Sequence, residues 1–453
     1  MIDVLVLVLL VAAIVYTTAR LKISPFLALL SAAVVGGFAF GLPTADIMPT
    51  ILTSFGNTMG NIGLVILFGT MIGVVLERSG AAIAMADALI RSLGTRFPNL
   101  TMSVIGYIVA VPVFCDSGFI ILNSLRKALA LRARVSPVAM SVALMTGLYA
   151  THTMVPPTPG PLAAAGELGV VDNLGLVIGM GLPVAALAAG AALLFASTLR
   201  NRQFELEPQT EEEARNESTY DEMRAEYGTL PSAAASFLPI LVPIVLICLS
   251  SVASLPGAPF GDGALATAVR FVGAPVVALV IGFALGAALL RGKGRLEQLN
   301  SIVTGSITVA APILLITAAG AAFGGILGAS ALTEVITEHL TTLGLGVFVP
   351  FVIAAALKTA QGSSTVAIIT TAALVAPLLD TLGLPGSTGA ALAVLAIGAG
   401  AMVVSHANDS YFWVVSQLSR IPVATAYRTL TPATAIEGVA AILATWVMSL
   451  IVL

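Results

Sequence analysis

The sequence predicts an all-α polytopic membrane protein built from two inverted-topology repeats, each with a re-entrant helical hairpin and a broken transmembrane helix. Three observations carry this. Of 453 residues, 58% are hydrophobic and 9% charged, against about 25% charged in an ordinary soluble domain, and mean hydropathy is +1.03. One hydrophilic segment, 200–232, holds Glu205, Glu207, Glu211, Glu212, Glu213 and Glu217 with Arg200, Arg202, Arg215 and Arg224, and divides the chain into similar halves. Four polar interruptions of apolar runs then fall at matched places on either side of it. Apolar runs of about twenty residues in a bilayer must be helices, because no water is present to satisfy an open backbone.

The first repeat is assigned to residues 1–199. Its opening run, 1–19, has no leading positive charge and no small-residue cleavage pattern, so it reads as a retained span and not a signal peptide. Lys and Arg concentrate in short cytoplasmic loops, here Arg20 and Lys22, then Arg78, Arg91 and Arg96, then Arg126, Lys127, Arg132 and Arg134, then Arg200 and Arg202. All are cytoplasmic together if the N-terminus is outside and residues 99–125 enter and leave on one side. Those residues are therefore a hairpin, and a broken helix over 135–170 follows. The linker 200–232 is then cytoplasmic.

The second repeat is assigned to 233–453. Arg291, Lys293 and Arg295 are expected inside, and 330–344, which carries Glu334 and Glu338 but no Lys or Arg, outside. The second hairpin, 345–380, thus enters from the opposite side, and a broken helix over 387–419 follows it. Short matches support the pairing: Phe55-Gly56-Asn57 with Thr304-Gly305-Ser306, and Thr151-His152 with Ser405-His406. Oppositely inserted copies of one unit are a hallmark of secondary transporters, a multi-pass class expected here in a bacterial-type inner (plasma) membrane.

Other classes fit poorly. With 20 Lys+Arg against 23 Asp+Glu, no basic surplus points to nucleic acid. Two cysteines, Cys115 and Cys248, are too few for a disulfide framework. No phosphate-cradling loop, zinc-binding helix or Cys/His cluster is present, so no metal site and no cofactor are expected. A membrane-embedded enzyme would have only the Asp116/His152 pair to work with.

The interruptions are 111–118 (VPVFCDSG), 151–161 (THTMVPPTPGP), 358–365 (KTAQGSST) and 405–410 (SHANDS). Irregular backbone at bilayer depth is tolerated only where it faces protein or a wet cavity. The four should converge near the midplane, where free N–H groups at half-helix N-termini bind a carboxylate and hydroxyl or amide side chains bind hydroxyls. Candidate substrate contacts are Ser117, Gly118, His152, Thr153, Gln361, Gly362, Ser363, Ser364, Thr365, His406, Asn408 and Ser410. Asp116, a costly carboxylate at a hairpin tip, is the first candidate for proton coupling. Asp409 is the second, though it can equally cap the half-helix beginning beside it. Lys358 either counters a substrate anion, snorkels, or pairs with an acid. Gly69 and Gly73, with Gly320, Gly324 and Gly328, read as helix-packing faces. His339 reads as solvated surface and Cys115 as a small filler.

At these residues the chain resembles the gluconate permease family, the gluconate:proton symporters within the wider ion-transporter superfamily. Gly56-Asn57-Thr58, the 112–118 tip, the 152–161 stretch with its Pro-Pro-x-Pro-Gly-Pro, and Ser405-His406-x-Asn408-Asp409-Ser410-x-Phe412-Trp413 carry the likeness. The resemblance implies proton-coupled uptake of gluconate or a related sugar acid or small hydroxy-carboxylate, by a homodimer with an elevator-like motion. A sodium-coupled carboxylate carrier or a D-amino-acid (D-serine) transporter is the alternative. Cys115, Thr158 and Tyr411 depart from the family pattern beside the site, which bears on the substrate.

Overall fold

The computed structural model describes residues 2–453 except 22, 95, 209–224, 226, 254–259, 262, 292–293, 331–345 and 407–408, and gives backbone alone at 2–4, 15, 18–19, 62, 124, 132 and 361. Lys22, Lys293, the acidic run 211–217, Glu334, Glu338, His339 and Asn408 lie outside the described residues, as does the Gln361 side chain.

Among the described residues there are eighteen α-helices and no strand. Before the linker they are α1 (Ile2–Ala19), α2 (Pro25–Ala39), α3 (Thr44–Arg78), α4 (Ala81–Leu93), α5 (Pro98–Val109), α6 (Cys115–Ala133), α7 (Pro137–Met154), α8 (Pro159–Glu167) and α9 (Leu174–Thr198). After it come α10 (Ala233–Ala253), α11 (Ala264–Val272), α12 (Pro275–Ala287), α13 (Arg295–Gly328), α14 (Phe348–Gln361), α15 (Ser364–Val375), α16 (Gly386–Met402), α17 (Ser410–Leu418) and α18 (Val423–Val452). Five segments are long and apolar enough to cross a bilayer, seven if each of two bent pairs is one span. The protein is therefore a multi-pass membrane protein. The 12-residue α5 and α15 and the 14-residue α14 are different. At about 1.5 Å per residue they reach roughly 18–21 Å, short of the ~30 Å hydrocarbon core.

Two helices are enclosed by the others. Every residue from Val138 to Met154 of α7 is buried, as is every residue from Gly389 to Met402 of α16. Enclosure explains why both are apolar or small all round instead of on one stripe. Close approach is made by glycine: a Cβ at Gly106 of α5 would sit 2.8 Å from Leu144 O and Leu148 N of α7. The long helices α3 and α13 pack along each other and turn glycines toward the site-bearing elements. A Cβ at Gly69 would meet Pro157 O at 2.7 Å, one at Gly73 Pro112 O at 2.5 Å, and one at Gly324 Ala373 O at 2.7 Å.

One face gathers the basic residues against the described ends of the linker. Arg78 lines a cavity with Tyr227 and Thr229, Arg91 another with 228–233, and Arg291 donates to Thr229 O at 2.8 Å. Ser136 N donates to Arg200 O and Glu207 N to Arg420 O, both at 2.9 Å. Since α9 ends at this face, its start lies on the other, where Asn173 Nδ2 donates to Ser387 Oγ at 3.1 Å. So α7–α8 begins on the basic face and α16–α17 ends on it, and the two broken helices run antiparallel.

Candidate substrate site

The four polar interruptions treat their freed backbone differently. Between α5 and α6, residues 110–114 turn the chain, and α6 begins after Phe114 with no side-chain cap. Between α7 and α8, the segment 155–158 carries a cis Pro156–Pro157 bond, and the Thr158 hydroxyl lies 2.9 Å from His152 O and 2.8 Å from Val155 O. At the tip between α14 and α15, Gly362 adopts φ +82°, a left-handed conformation that costs a side-chain-bearing residue about 1–2 kcal/mol. Ser363 Oγ then accepts from Val366 N at 3.3 Å and caps α15. Between α16 and α17, two α18 hydroxyls replace the missing helical bonds: Thr434 Oγ1 accepts from Ser405 N at 3.1 Å, and Thr431 Oγ1 donates to Ser405 O at 2.7 Å.

The centre is an ion pair. Lys358 Nζ lies 2.6 Å from Asp409 Oδ2, and Lys358 is fully buried. Lys358 also donates to Gly362 O at 2.8 Å, so the cation ties its own helix end to the opposite break. Asp409 has further partners: Oδ2 accepts from Ser405 Oγ at 2.5 Å, and Oδ1 accepts from Tyr411 N at 3.0 Å, capping α17. The capping reading of Asp409 and the acid-pairing reading of Lys358 thus have a structural counterpart.

Asp116 and His152 are different. Asp116, in the first turn of α6, lies where the charges of Asp409 and Lys358 reach it, yet its Oδ1 is buried without a hydrogen-bond partner among the described residues. His152, 4% exposed, feels the same two charges; its ring lies 5.8 Å from that of Phe114, and its Nδ1 has no partner. Their neighbours form an aromatic floor. Tyr149 and Tyr411 rings are 5.2 Å apart, Phe119 stands edge-on to Tyr411 at 6.4 Å, and Lys358 Nζ is 5.9 Å above Tyr149. The tyrosine hydroxyls are spent on backbone, Tyr149 on Ala401 O and Tyr411 on Met145 O.

The arrangement brings Asp116, His152, Lys358, Gly362, Ser363, Ser405 and Asp409 into one cluster. His406 joins it through Nε2, 3.0 Å from Thr359 O. Ser117, Ser364 and Thr365 are half-buried on the first turns of α6 and α15, and Gly118 packs against Leu148. The Thr153 hydroxyl donates back to Tyr149 O, and Ser410 is exposed. Sequence reasoning passed over Glu167 and Glu437, acids within helices, and used Arg126 only as a marker of membrane orientation. Arg126 is 1% exposed, held by Asn123 Oδ1, Pro137 O and Ser141 Oγ. With Lys127, Arg134 and Arg420 it lines a cavity of about 390 Å³ on the basic face. Four cations around one opening concentrate anions there. The legible signal for Glu437 was its being the sole acid of α18.

Comparison with known proteins places the chain in a family. The GntP family permease profile matches residues 2–451. The gluconate permease of Pseudomonas aeruginosa is 32% identical over 95% of this chain and 94% of its own. The inner membrane permease YgbN of Escherichia coli is 30% identical (94% of each chain), and the D-serine transporter DsdX of the same organism 31% identical (97% and 96%). The crystal structure of the YdaH transporter of Alcanivorax borkumensis superposes with a TM-score of 0.67 at 14% identity, covering 94% of this chain and 98% of that one, a likeness of fold. These relatives are permeases and transporters, not enzymes, and the chain belongs to the GntP permease family.

Proposed function

We propose that the protein is a proton-coupled importer of a small hydroxylated carboxylate, gluconate or a related sugar acid. The observation that carries the reading is Asp116 Oδ1 and His152 Nδ1, both buried without partners, beside a Lys358–Asp409 pair that is already neutral. An anion entering a negative interior is opposed by about 2.3 kcal/mol per 100 mV. A proton taken up on Asp116 cancels that charge and turns an acceptor into a donor. His152 donates to the substrate carboxylate, aided by the N–H groups opening α6, which no side chain caps. Ser117, Gly118, Thr153, Gln361, Gly362, Ser363, Ser364, Thr365, His406, Asn408 and Ser410 are proposed contacts, and Asp409 a second proton site. No cofactor takes part; sodium in place of the proton is the alternative coupling ion.

The antiparallel broken helices and the short α5, α14 and α15 support a reading as two inverted repeats, 1–199 and 233–453, with re-entrant hairpins at 99–125 and 345–380 and a cytoplasmic linker. The glycine contacts of α3 and α13 with the site-bearing elements are smooth surfaces suited to an elevator-like slide. The likeness to YgbN and the clustering of cations on one face support the inner membrane with the N-terminus outside. A homodimer completes the proposal. The likeness to DsdX, with Cys115, Thr158 and Tyr411 beside the site, favours D-serine as the second reading.

Uptake into liposomes containing the purified protein tests the reading. An imposed acid-outside gradient should drive accumulation of gluconate, and a sodium gradient alone should not. Accumulation of neither gluconate nor D-serine under the proton gradient overturns it.

A further inference from the structure

Glu437 is the sole acid in the thirty residues of α18. It is fully buried, and among the described residues neither of its carboxylate oxygens has a hydrogen-bond partner. An unpaired carboxylate so placed costs several kcal/mol, and ionisable groups at membrane depth are functional by default.

Its place on α18 ties it to the site. Thr434 stands one turn before it on the same face, and Gly438 follows it directly. Thr431 and Thr434 hold the backbone of Ser405, and a Cβ at Gly438 would lie 2.7 Å from Ala399 O. Glu437 thus stands one turn from the hydroxyl that fixes Ser405, whose own hydroxyl bonds Asp409. The helices packed on α18 are α7, α9, α14, α16 and α17. Of their titratable groups, Tyr149 of α7 and Tyr411 of α17 feel the Glu437 charge. His152 of α7 feels Lys358 and Asp409 instead, Lys358 of α14 is engaged by Asp409, and α9 and α16 carry none. Among the described residues of these helices, no cation therefore holds Glu437 ionised.

We propose that Glu437 is a proton-carrying carboxyl of the transport cycle, loaded while buried behind the α16–α17 break and unloaded when that break is hydrated. The inference rests on the proton-coupled reading above. Its step is a proton passing from the carboxyl oxygen to water, with the carboxylate reprotonated from the opposite side.

The test uses the purified full chain in liposomes with an entrapped pH dye, and gluconate or D-serine, whichever accumulates, as probe. Wild type should acidify the lumen on probe entry and accumulate about tenfold per pH unit imposed if one proton is coupled. E437Q keeps the shape but cannot release a proton, so proton entry and accumulation should fall to background while exchange of labelled for unlabelled probe persists. Wild type without proton entry overturns the coupling reading and this inference together. Wild-type proton entry with unchanged coupling in E437Q overturns this inference alone, as does loss of exchange together with coupling in a folded E437Q. Should E437Q fail to fold, infrared difference spectra of wild type and E437D decide. A protonated-carboxyl band that responds to probe and shifts in E437D supports the proposal; a band that does not respond overturns it.

Discussion

Lys358 and Asp409 form an ion pair 2.6 Å long in which the Lys358 side chain is fully buried and that of Asp409 4% exposed, and the pair joins the tip after α14 to the break before α17. Removing one partner of such a pair leaves a bare charge in a dry interior, at a cost of about 3–5 kcal/mol, whereas removing both is far milder. Lys358→Met should therefore lower the unfolding temperature in detergent sharply, and Asp409→Asn combined with it should recover much of the loss. Equal destabilisation by the single and double variants would mean that the pair is not coupled.

Asp116 differs from Asp409 in having an unpartnered oxygen, and this separates their expected phenotypes. Asp116→Asn keeps size and hydrogen-bonding atoms but cannot change charge, so it should fold, retain probe exchange and lose uphill uptake. The pH dependence should vanish with it: wild-type uptake falls as the outside is made alkaline and the proton supply fails, whereas residual Asp116→Asn flux should be flat. Full proton-driven accumulation in that variant removes Asp116 from its role.

What the sequence made legible followed from the rarity of polar residues in oil. The 200–232 linker and the four interruptions stood out because everything around them was apolar. The partnership of Lys358 with Asp409 was invisible, since each had several plausible fates and only the fold brings a hairpin tip to a distant helix break. Thr431 and Thr434 were equally silent, because a threonine in a membrane helix usually bonds its own preceding turn; Thr434 does so and also accepts from Ser405 N, while Thr431 donates to Ser405 O. Glu437 was legible in principle, but attention to broken helices passed over an acid in an unbroken one.

Gly73 and Gly56 lie on the same helix and provide an internal control. A Cβ at Gly73 would stand 2.5 Å from Pro112 O, a backbone atom of the first tip, while one at Gly56 meets nothing within 4 Å. Overpacking against backbone costs about 1–3 kcal/mol and would displace the tip that carries Asp116. Gly73→Ala should reduce both thermal stability and uptake, with Gly56→Ala close to wild type in both. Uptake of Gly73→Ala at the wild-type rate would show that α3 does not set the tip's position.

The orientation of the whole assembly can be read from three labelling sites. Arg202 lies just after α9, on the face where the cations gather, Ser387 lies on the other beside Asn173, and Leu453 ends α18, which leaves the basic face after Arg420. With Lys and Arg retained on the cytoplasmic side, in a background with Cys115 and Cys248 replaced by Ala, Ser387→Cys and Leu453→Cys should react with an impermeant maleimide in intact cells. Arg202→Cys should react only after permeabilisation. The reverse pattern would invert the topology, and with it the side from which Asp116 draws its proton.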